Sequence, residues 1–237
     1  MKQSKFFLAS VLWLQVLVVY AQNTEFISGP ADINRRIGAR APFHYLEEGL
    51  DTAQLSYVAR VKVSSPVKPS LLPLYGELES QSKKAGANAF RLVQFDQSGV
   101  AITADLYFIG EDAVNRNNML KPPNTIYIFA GDPYEKTTYD AFEFNGGVHN
   151  LRNGTFFKYV LDEGEKAKLK KGTVTGTTMW INWKPNQLPS YYSVRGFGEK
   201  TVVERTSVSQ ASRPGKFLDV EPALGALLMR VLEEKVQ

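Results

Sequence analysis

The chain has no cysteine and only two histidines, His44 and His149, among its 237 residues. The first absence removes disulfides, thiol nucleophiles, thiolate metal sites and a lipid-bearing cysteine. The second leaves almost no choice of general base. No Gly-x-Ser-x-Gly elbow sets a serine near either histidine, and no His-x-x-x-His spacing begins the three-ligand set that catalytic zinc usually recruits. No metal and no cofactor is therefore expected. A strong charge of one sign is also lacking: 28 basic against 24 acidic residues give a formal charge of +4. That is too mild for a nucleic-acid surface, which needs its basic residues clustered on one face. The longest apolar run, residues 6–19, falls short of the roughly 20 residues a spanning helix needs. A stable membrane span is not expected.

What is present begins with an export signal. Lys2 and Lys5 form a basic start, residues 6–19 are apolar except for Ser10 and Gln15, and Val19-Tyr20-Ala21 offers small or β-branched residues where a signal peptidase reads. Residues 1–21 thus read as a signal peptide cleaved between Ala21 and Gln22, giving a periplasmic or extracellular protein. Loss of the two leader lysines, with no acid lost, lowers the formal charge from +4 to +2. An exported eukaryotic protein of this size usually carries bridges, so their absence points to a bacterial envelope. Asn153-Gly154-Thr155 has the form of a glycosylation sequon, but Asn-Gly is an ordinary turn dipeptide and reads as one here.

Composition shifts over residues 114–124. Asn115-Arg116-Asn117-Asn118 is polar, and Lys121-Pro122-Pro123-Asn124 cannot continue a helix or a central strand. A linker placed there divides the chain into residues 22–113 and 125–237. In the first part, residues 55–63 alternate as a strand, with Tyr57, Ala59, Val61 and Val63 on one face. Ser70 can cap a helix carrying Leu71, Leu74, Tyr75, Leu78 and Ala85 at helical spacing, and Gly86 can end it in the left-handed conformation. Residues 90–95 and 101–109 read as strands joined by Asp96-Gln97-Ser98-Gly99. The order β-α-β-β makes a small two-layer module, after an N-terminal extension.

The helix running into Gly86-Ala87-Asn88-Ala89-Phe90 resembles the small bacterial modules described as YbjQ-like or putative heavy-metal-binding. About 50 residues share the pattern, and the resemblance implies a fold rather than a ligand. Metal binding of that kind would need ligands which the segment lacks, since His44 and His149 both lie outside it.

The second part reads as short strands at 125–129, 141–144, 148–151, 155–161, 166–170, 174–183, 191–195 and 201–208, separated by Asn-Gly and Glu-Gly turns. Such spacing predicts an antiparallel β-sandwich or barrel. Residues 222–234 close the chain as an amphipathic helix, with Leu224, Leu227, Leu228, Val231 and Leu232 on one stripe. The stretch from Ile126-Tyr127-Ile128-Phe129 through Phe144-Asn145-Gly146, Leu151-Arg152-Asn153-Gly154-Thr155 and Glu163-Gly164-Glu165 is similar to a β-sandwich domain of unknown function in secreted bacterial proteins, PEGA-like in style. That resemblance implies an envelope-associated, non-catalytic domain.

The expected fold class is therefore α+β: a small βαββ two-layer module, then an antiparallel β-sandwich with a C-terminal amphipathic helix. The aromatic run supplies the candidate ligand site. Trp180 and Trp183 point to opposite faces at strand period, so one of them, with Asn182 and a tyrosine from Tyr191-Tyr192, can form a stacking platform for a sugar ring or a Pro-rich peptide. Lys166-Ala167-Lys168-Leu169-Lys170-Lys171 reads as a strand with one wet, basic face, able to touch an anionic envelope polymer or lipid. Carboxylates lie near one another in sequence at Asp132 and Glu135, at Asp140 and Glu143, and at Asp162, Glu163 and Glu165. Two of them converging on a groove would suit glycoside cleavage. The expectation is a non-enzymatic envelope interaction or structural protein, partnered by an envelope protein or glycan and by no nucleic acid; the alternative is a glycan-binding or carboxylate-based glycan-cleaving protein.

Overall fold

A computed structural model describes residues 22–29, 35–65, 70–172, 176–197 and 216–235. The expected signal peptide, residues 1–21, and the expected strand at 201–208 lie outside the described residues. Helix accounts for 18% and strand for 40% of the structure, which makes the protein a sheet-rich α+β chain.

Three sheets carry the architecture. The first contains β1 (Asn23–Ser28), β2 (His44–Tyr45), β3 (Ser56–Ser64), β4 (Ala89–Asp96) and β5 (Ala101–Phe108), in the order β1-β3-β5-β4-β2. Helix α1 (Leu71–Lys84) covers one face, burying Leu71, Leu74, Tyr75 and Leu78 against Val61, Val63, Ile102 and Leu106. The β-α-β-β order read from periodicity is present, and Gly86 ends the helix at φ +84°. A side chain at that position would also meet the Arg35 carbonyl, 2.7 Å from an added Cβ.

The helix cap differs from the sequence expectation. Ser70 has the extended backbone of an N-cap, but its hydroxyl caps nothing within the helix. It donates instead to Asp132 Oδ2 at 3.0 Å, and the same oxygen accepts the Leu71 N–H at 2.7 Å. A carboxylate from 61 residues downstream therefore satisfies the helix terminus and complements its dipole.

Residues 114–124, expected as a linker, carry instead most of α2 (Glu111–Met119). Asn117 explains why a polar run folds here: it is 1% exposed, accepts the Glu47 N–H at 2.8 Å and donates to the Tyr45 carbonyl at 2.8 Å. A buried amide that serves two backbone groups is indistinguishable in sequence from one facing water.

The second sheet contains β6 (Thr125–Phe129), β9 (Thr155–Val160), β12 (Ser190–Ser193), β13 (Leu218–Asp219) and β14 (Glu233–Glu234), in the order β13-β12-β6-β9-β14. It is mixed, not antiparallel as expected: β12 runs parallel to β6 and β14 parallel to β9. Parallel neighbours need long crossovers, and the chain between β6 and β12 supplies one by building the third sheet on the way. That sheet contains β7 (Tyr139–Phe144), β8 (Gly147–Arg152), β10 (Lys166–Lys170) and β11 (Thr178–Asn182), in the order β11-β10-β7-β8.

Every residue of β6 is buried, because the second sheet is covered on both faces. Ile126, Ile128 and Phe157 join Phe142, Phe144, Leu169 and Ile181 of the third sheet. Tyr127, Phe129 and Phe156 face the other way, into a cluster shared with α1, the first sheet and α3 (Pro222–Val231). This largest cluster spans both sides of residues 114–124, so the two parts divided in the sequence are joined by one core. Helix α3 is further tied to the first part by Arg230, which lies 3.2 Å from Glu47 and 3.2 Å from Glu48.

Candidate functional site

The third sheet keeps one face in the core and turns the other to solvent. Ala167, Leu169, Ile181, Phe142, Phe144 and Leu151 are buried, and the residues alternating with them point outward. Register fixes which outward residues meet. Lys168 stands opposite Trp180, Lys166 opposite Asn182 and Lys170 opposite Thr178. Lys170 also faces Glu143, and beyond that pair lie Val148, Asn150 and Arg152 on β8.

Trp180 is the focus of this face. Its side chain is 53% exposed, with Lys166 Nζ 4.7 Å and Lys168 Nζ 5.7 Å from the ring centroid. Both are cation–π distances. Other cations on the face have acidic partners: Lys170 lies 3.6 Å from Glu143 and Arg152 lies 3.2 Å from Glu233. Among the described residues no carboxylate pairs with Lys166 or Lys168.

Of the five candidate platform residues, Trp180 and Asn182 share an outward face, and neither tyrosine joins them there. Trp180 and Asn182 are exposed on the outer face of β11. Trp183 is half-buried beneath the same sheet, against the cluster of Ile181 and Phe157. Tyr192 is half-buried and packs on that cluster too. Tyr191 points the opposite way and is only 5% exposed, with its ring stacked on Tyr127 at 5.4 Å and Phe129 at 6.4 Å. Adjacent strand residues face opposite sides, so Tyr191 and Tyr192 enter different clusters, one on each side of their sheet. The residues that do join Trp180, Lys166 and Lys168, were legible as a wet basic face; their strand's pairing with β11 was not.

At least one member of each carboxylate group is engaged in structure. Asp132 is buried at the α1 terminus and also accepts the Tyr134 N–H at 3.0 Å. Asp140 pairs with Arg195 at 3.2 Å, and Glu143 with Lys170. Glu165 accepts the Tyr159 hydroxyl at 2.8 Å and the Asp162 N–H at 2.9 Å. Two open hollows of about 470 Å³ each are lined in one case by Leu55, Phe108, Gly110 and Arg116, and in the other by Arg36, Gly76, Ser80 and Lys83. None of the candidate carboxylates or platform residues lines either.

Asn153 is 7% exposed, and its amide accepts the Thr138 hydroxyl at 2.7 Å and donates to the Lys136 carbonyl at 3.2 Å. It closes the turn into β9 with its side chain engaged, as the turn reading requires. His149 sits on the inner side of β8, stacked on Phe142 at 5.3 Å and beside Phe157 at 4.8 Å.

Burial, and secondarily the charge of Lys235, holds the His149 pKa below its ordinary 6.5. Burial and Lys121 do the same for His44. The unfolded chain therefore binds more protons than the folded one as pH falls below 6.5. Stability is expected to be full above that pH and to decline below it, through the lowered folded values. Denaturant midpoints between pH 7.5 and 5 should fall, and less steeply in His149→Phe; an unchanged slope in that variant would remove His149 from the account.

Among the described residues, no three His, Asp or Glu side chains group as a metal site, and no helix is long and apolar enough to cross a membrane. Comparison with family models, with curated proteins and with solved structures found no match to this chain. The two family resemblances thus rest on their own motifs.

Proposed function

We propose that this is an exported bacterial protein of the cell envelope which acts by non-covalent interaction and not by catalysis. The scaffold is a βαββ layer and a sandwich-like pair of sheets, locked together by a common core and the closing helix. The interaction face is the outer side of the third sheet. One observation carries this reading: an indole 53% exposed on a regular, well-packed sheet, flanked by two lysines that have no acidic partner among the described residues. A large aromatic left in water on a rigid element contributes little to folding and is well suited to stacking on a partner. The engagement of Asp132 in a helix cap, of Asp140 and Glu143 in ion pairs and of Glu165 in hydrogen bonds supports interaction over hydrolysis.

Co-sedimentation with a bacterial envelope fraction tests it. The protein, expected to begin at Gln22 when recovered from that fraction, should sediment with the envelope. Trp180→Ala should stay in the supernatant while changing stability by no more than about 0.5 kcal/mol, as for an exposed site. Trp183→Ala should lose about 2 kcal/mol, less than a fully buried aromatic, and its folded fraction should still sediment. If Trp180→Ala sediments like the unaltered protein, the outer face is not the interaction site.

A further inference from the structure

We infer that the ligand of this face is an anionic polysaccharide, one sugar ring lying on the free side of Trp180 and its acidic groups meeting Lys166 and Lys168. The inference rests on the proposed interaction face and names what that face recognises. Charge complementarity comes first. On a surface where Lys170 and Arg152 are each neutralised by a glutamate, the two lysines beside the indole have no such partner among the described residues. Two uncompensated ammonium groups separated by one residue along a strand lie roughly 7 Å apart at the backbone. They form a short row of positive charge, which a polymer carrying repeated acidic groups can follow, and a singly charged small molecule cannot use both.

The neighbours of the indole argue for sugar over lipid. Thr178 and Asn182 lie on either side of Trp180 along the same outward face and present a hydroxyl and an amide, which match ring hydroxyls by donating and accepting. The indole lies close to the lysine row, with both nitrogens near its ring, and not as an isolated wedge standing off the sheet. Insertion among acyl chains would demand such a wedge and would strip water from Thr178 and Asn182 without replacing their hydrogen bonds. Stacking of a pyranose on the open side of the ring leaves those groups paired.

Binding to polygalacturonate, to neutral dextran of matched length and to phosphatidylglycerol vesicles, each followed by intrinsic fluorescence at 20 and 200 mM salt, separates the possibilities. Polygalacturonate should bind at least tenfold more tightly than dextran, and the preference should shrink at high salt as the charges are screened. Lys166→Gln with Lys168→Gln should weaken polygalacturonate roughly tenfold while leaving dextran unchanged, and Trp180→Ala should weaken both. Equal affinity for polygalacturonate and dextran, with Trp180 still required, overturns the anionic ligand and leaves the interaction face standing. Vesicles bound in preference to polygalacturonate replace the polysaccharide with a membrane surface. If no probe binds, the polysaccharide is wrong, and the sedimentation of Trp180→Ala with the envelope fraction decides separately whether the face stands.

Discussion

Replacing Tyr191 by Ala is expected to cost about 3 to 5 kcal/mol, the range for removing a large buried aromatic side chain. The ring is 5% exposed and lies between the stack of Tyr127 and Phe129 and the helix α3. Gly225 of that helix approaches it so closely that an added Cβ would fall 2.5 Å from two ring carbons. The glycine lets the helix settle onto the sheet, and Tyr191 fills the space beneath it, so truncating the ring opens a cavity where three layers meet. The surrounding side chains belong to different elements and cannot all collapse inward. Tyr191→Phe should behave quite differently. The hydroxyl is buried with no hydrogen-bond partner among the described residues, and burial raises its pKa. Removing it relieves an unpaired polar group and should leave stability equal or slightly higher. Chemical denaturation of the two variants checks both statements, and binding by the folded fraction of Tyr191→Ala should persist. Loss of binding in Tyr191→Phe, at full stability, would return this tyrosine to the interaction site.

Asp132→Ala is expected to cost about 2 to 4 kcal/mol, because one carboxylate satisfies two buried or half-buried N–H groups and a hydroxyl, each charge-assisted. A cap supplied within the helix is worth about 1 kcal/mol. This one is worth more because the Leu71 N–H it satisfies is shielded from water, and because it ties the start of α1 to the loop after β6. Asp132→Asn should recover part of the loss, keeping an acceptor for Leu71 without the charge that favours the helix terminus. Thermal melts of the three proteins give the order directly. Equal stability of Asp132→Ala and the unaltered protein would mean that Ser70 caps α1 unaided, as the local sequence suggests.

Alternation in 55–63 and 166–170, helical spacing in 71–85 and in 222–234 as far as Val231, and the glycine at 86 each state a local preference strong enough to survive folding, whereas Glu233–Glu234, expected as helix, pair as strand with β9. They give the α+β class and the position of most elements. The wet lysine face follows from the same period of two, because Ala167 and Leu169 can only satisfy themselves by turning inward. Strand content without pairing order gave no sign that the second sheet is mixed. Parallel addition of β12 to β6 depends on the whole third sheet being inserted between them, a long-range property with no local signature.

The same limit governs the candidate site. Trp180 and Asn182 share an exposed face by strand period alone, and Trp183 opposes them for the same reason. That Lys166 and Lys168 complete the face depends on β10 pairing with β11 in one register, and a slip by one residue would have put Trp180 opposite Ala167 or Leu169. Polar residues were the least legible of all. Asp132, Asn117 and Asn153 read as candidate acid, linker and turn, yet each is buried and holds backbone or side-chain partners elsewhere along the chain. A side-chain amide or carboxylate hydrogen-bonds equally well to water and to a distant backbone group, so composition cannot distinguish the two outcomes. Sequence by itself determined helices α1 and α3, most strands and the basic face of β10; tertiary structure decided that α2 forms at all, the order of the strands, the common core, and which polar groups stay exposed, because only packing determines which of them lose their water.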